Sequence, residues 1–373
     1  MIRPFLITAL ILALVSVPAG NASGSQVLRV GILREQTRVV LMSDRSIDVL
    51  AGAGLRTVLM PGAHEIIPGS AGIQVGDAGE ISGSVRLIPS PDARLFVAIR
   101  PYRGIIEIRR TSSGRLTVIN ELGLEEYLYG VLKMEVDPAW PPEALKAQAV
   151  AARTLAVYSL GRFRAEGYDV RATTDSQVYG GIIAEDPRTT AAVDATRGEI
   201  ASFAGRPIFA AYHSDSGGFT ENSENVWGGR YAYLKAVPDP FTSASPWVVR
   251  MDPAACEDRL RRAGKMVSGI TSMEVAGVTP SGRAGSVSIT SSTGVLTLRA
   301  TEVRTILGAD VLKSTMFTVR LLAGEPAVVE FVGRGSGHGV GLSQWGARGQ
   351  ALLGKSYLDI LRYYYSGITI DSR

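Results

Sequence analysis

Three prolines fall within the six residues DPAWPP, 137–142. No single helix can run through them, because each proline removes a backbone donor and its ring clashes with the preceding turn. The segments on either side are both helical in pattern. Before the break, LEEYLYGVLKM (124–134) sets Leu124, Leu128, Val131 and Leu132 on one face, with Glu125 and Glu126 near the positive end of the helix dipole. After it, Pro141 and Pro142 suit a first helical turn. EALKAQAVAARTLAVYSLGRFRAEG then predicts a second helix that stops near Gly167. Leu145, Ala149, Ala152 and Ala156 form its buried stripe, and the small side chains call for close packing. The chain is committed to a sharp corner, and Glu135 stands at its edge.

Upstream of the corner the pattern is different. QVLRVGIL, TRVVLMS, RTVLMP, GSVRLIP, RLFVAI, GIIEIRR and GRLTVIN are short β-branched runs broken by Gly, Pro, Ser and Asp. They predict a β-rich region over 23–120, barrel-like or sandwich-like, with no repeat of fixed period. Downstream, a short helix is expected near 186–197, another at 254–264, strands from 270 to 333, and helical segments after a glycine-rich loop. The fold class is therefore α+β (mixed α/β), with a β-rich N-terminal region followed by a mixed helix-and-sheet region, 121–373.

The first residues bear on the compartment. Arg3, the apolar run FLITALILALVSV and the small residues of PAGNA have the layout of a secretory signal peptide over 1–22, cut after Ala19 or Ala22. The apolar run is short for a membrane span, and no second one follows, so no integral span is expected after cleavage. The expected location is the periplasm, cell envelope or extracellular space. Cys256 is the single cysteine, which rules out an internal disulfide and a cysteine-based metal cluster. The formal net charge of +4 comes without any run of Lys or Arg, so no nucleic acid is expected as a partner.

Several residues could carry chemistry. Glu135 would sit at the negative end of the first helix, where ionisation is disfavoured, and aromatic and proline neighbours would desolvate it further. A carboxyl kept protonated in this way suits a general acid for a glycosidic oxygen. Lys146 and Arg153, seven residues apart, fall about 20° apart around a helix. They could hold that carboxylate, a substrate acyl or hydroxyl group, or only water. His213 and His338 lie in Gly/Ser-rich polar segments, and Trp140, Trp227 and Trp345 in or beside loops, where indole faces can lie against sugar rings. GHGVGLSQWG fails the G-x-S-x-G elbow, because Trp345 stands where the second Gly should be, and it fails the dinucleotide fingerprint as well. Three histidines and no H-E-x-x-H leave no metal-ligand cluster.

The stretches LGLEEYLYGVLKMEVDPAWPPEALKAQAVAART, YHSDSGGFTENSENVW, YLKAVPDP and GRGSGHGVGLSQWGARGQALLGKSYLDILRYYY lie in that order between about 100 and 370. In them the chain resembles the stage II sporulation protein D and amidase-enhancer family of peptidoglycan-acting proteins. The resemblance implies a lytic transglycosylase with a substrate groove in 121–373, needing no cofactor. It would cut glycan strands that lack stem peptides, between N-acetylmuramic acid and N-acetylglucosamine, leaving a 1,6-anhydro sugar. It places the catalytic acid at Glu135 and assigns Lys146, Arg153 and His213 to the groove, with a supporting role for His338. Trp140 and Trp227 join them as substrate-binding candidates, and Asp137 is the alternative acid. Relatives that hold zinc place cysteines beside the loop histidine, and residues 205–235 contain none, so no metal is expected. The rival reading is a non-catalytic wall-binding module that recruits or stimulates a cell-wall amidase.

Overall fold

A computed structural model of the chain describes residues 26–51, 54, 56–90, 92–325 and 327–372, so the leader-like segment 1–22 lies outside the described residues. The predicted strands form at 27–36, 39–43, 56–59, 85–89, 95–97, 105–110 and 116–123. Ile47–Ala51, Gly62–Pro68 and the short strands 73–75, 80–81 and 100–102 join them. All but 73–75, which is only three residues long, carry Asp, His, Glu or Pro and so lack a clean alternation. With the short strand Val170–Arg171 added at one edge, a seven-stranded and a six-stranded sheet result. Their inner residues, such as Val49, Leu87 and Ile108 from one and Leu41, Ile66 and Ile73 from the other, share one hydrophobic cluster. The α+β class holds.

The described residues contain helices α1 (Leu124–Glu135), α2 (Pro142–Tyr158), α3 (Pro187–Ala195), α4 (Ser223–Trp227), α5 (Pro253–Arg262), α6 (Ala300–Leu307), α7 (Gln344–Leu352) and α8 (Tyr357–Tyr364). None is long and apolar enough to cross a membrane. The strand Leu116–Gly123 runs straight into α1. The Glu126 carboxylate accepts the Gly123 N–H at 3.1 Å and fixes the start of the helix. The predicted apolar face of α1 is buried throughout.

α2 departs from expectation in two ways. It ends at Tyr158 rather than near Gly167, because Gly161 adopts φ 73° and its N–H turns to Asp169 (2.9 Å). That early stop puts Ser159 and Arg162 on a turn instead of a helix face. The helix also carries two buried stripes. Leu145, Ala149, Ala152 and Ala156 face the first cluster as expected, while Ala147, Val150 and Ala151 face a second, built from the strand Glu199–Phe203, α7 and α8. Its alanines serve both sides: a helix between two cores can approach each closely only if its side chains are small. A third cluster, around Val287, Ile289, Val303 and Phe331, fills the unit formed by α5, α6 and the strands between 246 and 334. Cys256 is buried there, and burial pushes its thiol up to about 11.

Lys146 and Arg153 do not share an open face. Arg153 is 0% exposed and grips Glu125 through Nε (2.9 Å) and Nη2 (2.7 Å). It also donates to the carbonyls of Val193 (3.0 Å) and Glu199 (3.1 Å). This ties α1, α2, the end of α3 and the next strand together. Lys146 instead pairs with Glu143 at 2.7 Å, and Glu143 accepts the Tyr357 N–H (2.8 Å), holding α2 to α8. The seven-residue spacing alone does not choose among a carboxylate, a substrate group and water, because nothing in it announces a carboxylate from another helix.

Replacing Arg153 with Met would leave Glu125 buried without its cation. Breaking a buried pair in this way costs about 3–5 kcal/mol, whereas Lys146→Ala, which breaks a partly exposed pair, should cost under about 1 kcal/mol. Chemical denaturation checks both. An Arg153→Met protein unfolding at the wild-type midpoint would show that the pair does not hold the corner.

Candidate active site

The end of α1, the turn after α2 and the loop Thr174–Val178 enclose a cleft of about 310 Å³. Glu135, Arg162, Gln177, Phe209, Tyr212 and His338 are among its lining residues. Glu135 is half-buried. The Val178 N–H donates to its Oε1 at 3.4 Å, and the Tyr212 hydroxyl lies near the carboxyl. Those contacts favour the carboxylate. Burial opposes them and prevails, so the carboxyl is held above the usual carboxylate range.

The groups behind Glu135 form a chain that the sequence did not announce. The Tyr127 hydroxyl donates to Gln177 Oε1 (3.3 Å), and Gln177 Nε2 donates to the Tyr212 hydroxyl (3.0 Å) and to the Ala152 carbonyl (3.3 Å). A residue from each of α1, α2, the 174–178 loop and the short strand Tyr212–His213 thus meets at one point. The last strand pairs in parallel with Leu342–Ser343, which brings the glycine-rich loop to the site.

That loop owes its sequence to its backbone. Gly335, Gly337, Gly339 and Gly341 all have φ between 73° and 103°, a region costly for other residues. At Gly337 a Cβ would also meet His213 at 2.7 Å, and at Gly339 the Arg283 guanidinium at 2.5 Å. His338 projects into the cleft between them. Its Nδ1 accepts the Val340 N–H (3.0 Å), which leaves the proton on Nε2 to be donated to the Tyr212 carbonyl (3.0 Å). Burial lowers its pKa to about 4. It is therefore a neutral ring, stacked against Trp227 at 5.0 Å and His213 at 5.4 Å.

His213 is buried below that ring, donates Nδ1–H to the Val340 carbonyl (3.1 Å), and burial holds its pKa well below the ordinary value. Its Nε2 has no hydrogen-bond partner among the described residues. The residues around it do not suit zinc. Asp215 accepts from Gly217 (2.8 Å), Thr242 (2.7 Å) and Ser245 (3.1 Å), and Glu221 from Asn222, Asn225, Thr279 and Ser281. One imidazole nitrogen without free carboxylates or thiolates is too small a donor set.

Other expected groove residues lie elsewhere. Trp140 stacks on Trp345 at 5.3 Å, outside the cleft lining. Asp137 is exposed and caps the turn after α1 by accepting the Ala139 N–H at 2.8 Å. Arg153 and Lys146 hold the helix corner, as described above. Ser343 is fully buried and accepts the Gly346 N–H (3.3 Å) at the start of α7. Arg283 was missed. It is 1% exposed, burial lowers it to about 10, and it donates to the carbonyls of Ser216 (2.5 Å) and Phe219 (3.2 Å). Its only signal in the sequence was a lone Arg in a turn, SGR.

Comparison with known proteins fits this geometry. Residues 112–203, which carry α1, α2 and the 174–178 loop, match the family described as Stage II sporulation protein. The chain is 32% identical over 283 residues to stage II sporulation protein D of Bacillus amyloliquefaciens, covering 71% of this chain and 78% of that one. The chain belongs to the stage II sporulation protein D family. An uncharacterized protein of Brachyspira hyodysenteriae is 33% identical over 82% of this chain and 81% of its own. The amidase enhancer of Bacillus subtilis is 32% identical over 66% of this chain and 40% of its own. Residues 247–341 match a domain of unknown function (DUF8618), a segment that ends within the His338 loop.

Two outcomes check this arrangement. Because His338 titrates lower when folded than the ordinary 6.5, the unfolded chain takes up its proton first as pH falls. Its contribution to stability is lost between about 6.5 and 4. The stability difference between wild type and His338→Gln should therefore shrink over that window in urea melts. A constant difference would place His338 in an ordinary aqueous setting. Elemental analysis should find no stoichiometric zinc, and chelation should leave the melting temperature unchanged; one tightly held zinc per chain would contradict the donor set.

Proposed function

We propose that the protein is an exported lytic transglycosylase that cuts peptidoglycan glycan strands lacking stem peptides, with Glu135 as its general acid and base. The observation that carries this reading is the Glu135 carboxyl, half-buried in a cleft and without an ion pair among the described residues, while the other carboxylate of that lining, Asp175, is held by Arg171 at 2.8 Å. Hydrolytic glycosidases ordinarily use two carboxyls, one to protonate the leaving oxygen and one to activate water or attack the sugar. Intramolecular displacement needs only one. Glu135 gives its proton to the glycosidic oxygen as the C1–O bond breaks. The C6 hydroxyl oxygen of the same muramic residue bonds to C1, and its proton passes to the Glu135 carboxylate. The acid is regenerated, no water is consumed, and a 1,6-anhydro ring is left.

The neighbours have consistent roles in this scheme. Val178 N–H and Tyr212 orient the carboxyl, and Gln177 fixes Tyr212. Trp227, 42% exposed beside His338, offers a face for a sugar ring. His338, neutral in the Nε2–H form, supports the wall of the cleft rather than moving the reacting proton. Export is proposed from the leader-like residues 1–22.

A second reading draws on the relative named amidase enhancer, that of a wall-binding module which stimulates an amidase. Purified protein on denuded glycan, with no partner present, separates the two. Glu135→Gln keeps the size of the side chain but cannot give up a proton. Release of 1,6-anhydro product, followed by mass spectrometry, should fall by roughly 10²- to 10⁴-fold with the fold intact. Near-normal turnover by that variant would remove Glu135 from the chemistry. Activity should also decline as pH rises through the raised Glu135 pKa, since the acid form is then lost.

A further inference from the structure

A second cavity, also of about 310 Å³, adjoins the first and shares Ser159, Arg162 and Phe209 with it. Tyr158, Leu160, Gly161 and Tyr231 complete its lining. An unbroken series of ring contacts links the two: Tyr158 to Phe209 at 5.4 Å, Phe209 to Trp227 at 5.3 Å, and Trp227 to His338 at 5.0 Å. Tyr158 is 43% exposed, so the wall it begins is open to solvent. Two adjoining pockets along an aromatic wall suit successive rings of one sugar chain.

Arg162 stands at the joint. Its guanidinium lies over the Phe163 ring at 5.2 Å, and Nη1 donates to the Asp175 carbonyl at 3.0 Å. Its other N–H groups make no hydrogen bond among the described residues. The Asp175 carboxylate, in the same cleft, is already engaged by Arg171 at 2.8 Å. A half-oriented guanidinium between two sugar-sized pockets is arranged to receive an anionic substituent of the chain that lies there.

We propose that the second pocket binds the sugar next to the cleavage point and that Arg162 reads a free carboxylate on the chain. The inference rests on the glycan-cleaving reading above and supplies a physical reason for its substrate choice. A muramic residue without its stem peptide carries a free lactyl carboxylate, able to take a bidentate contact from the guanidinium. With the peptide attached the same group is a neutral amide, bulky and unable to make that pair. Arg162 is thus a specificity residue and takes no part in the bond breaking.

The test measures binding by calorimetry in a Glu135→Gln background, so that nothing is cleaved. The ligands are denuded glycan fragments and the same fragments with their carboxylates converted to methylamides. Amidation should weaken binding roughly five- to tenfold. Arg162→Gln should abolish that preference, Arg162→Lys should keep part of it, and Tyr158→Ala should weaken both ligands equally. Arg162 is exposed, so its variants should fold. A full preference retained in Arg162→Gln, no preference in the background protein, or no binding of either ligand would overturn the inference. Wild-type release of anhydro product, followed in parallel, judges the catalytic reading separately. Preference without product sustains the carboxylate reading and removes the enzyme; product without preference does the reverse.

Discussion

The Arg153–Glu125 pair is the contact on which the placement of Glu135 depends. Glu125 lies in the first turn of α1 and Glu135 in its last residue, so fixing one end of the helix aims the other. A fully buried guanidinium costs several kcal/mol in lost hydration, which only well-formed contacts offset. Arg153 has them: both carboxylate oxygens, two backbone carbonyls and the Thr196 hydroxyl at 3.3 Å. Lysine, a point charge without the planar fork, could not satisfy that set. The prolines between α1 and α2 make the corner sharp, and this ion pair makes it single-valued.

The opposite wall of the cleft is set by a comparable device. Glu221 and Arg283, both buried, gather the 214–222 loop, the turn 279–283 and the glycine loop. Glu221 donates its own N–H to the Gly339 carbonyl at 2.8 Å and accepts the Thr279 hydroxyl at 2.6 Å. The alternating glycines let that loop turn at every second residue while Arg283 lies against Gly339. The unit around the third cluster therefore reaches the site through side chains that never enter the cleft. Its role in the geometry is to hold the loop that carries His338 in place.

Much of this was legible in the sequence, and the failures share a cause. The helices α1, α3 and α5, the break at 137–142, the α+β class and the buried face of α1 follow from periodicity and proline chemistry, which are local, whereas α6 lies within a stretch expected as strands and α4 within an expected loop. Glu135 stood out for the same reason: a helix end and its flanking residues are neighbours in sequence. Arg153 was misplaced because its partner lies 28 residues away in another helix. Gln177 and Tyr212 gave no signal, since neither residue type is unusual and only the fold brings them together. Gly161 was passed over for Gly167 as the end of α2, although both have positive φ, because the side-chain pattern alone does not weigh the Asp169 contact that stops the helix early.

The two ends of α1 show how one helix can hold two glutamates in opposite settings. Glu125 sits where the helix dipole favours negative charge and meets a guanidinium. Glu135 sits where the dipole opposes it, with no cation in contact among the described residues and with burial against it. One long hydrogen bond, from Val178, and the nearby Tyr212 hydroxyl do not reverse the balance. If either end were changed alone, the arrangement would fail in a different way. A cation beside Glu135 would stabilise its carboxylate and weaken it as an acid, and loss of the cation beside Glu125 would leave the corner without its tie. The charge that fixes the fold and the proton proposed for the chemistry are kept apart by the length of a single twelve-residue helix.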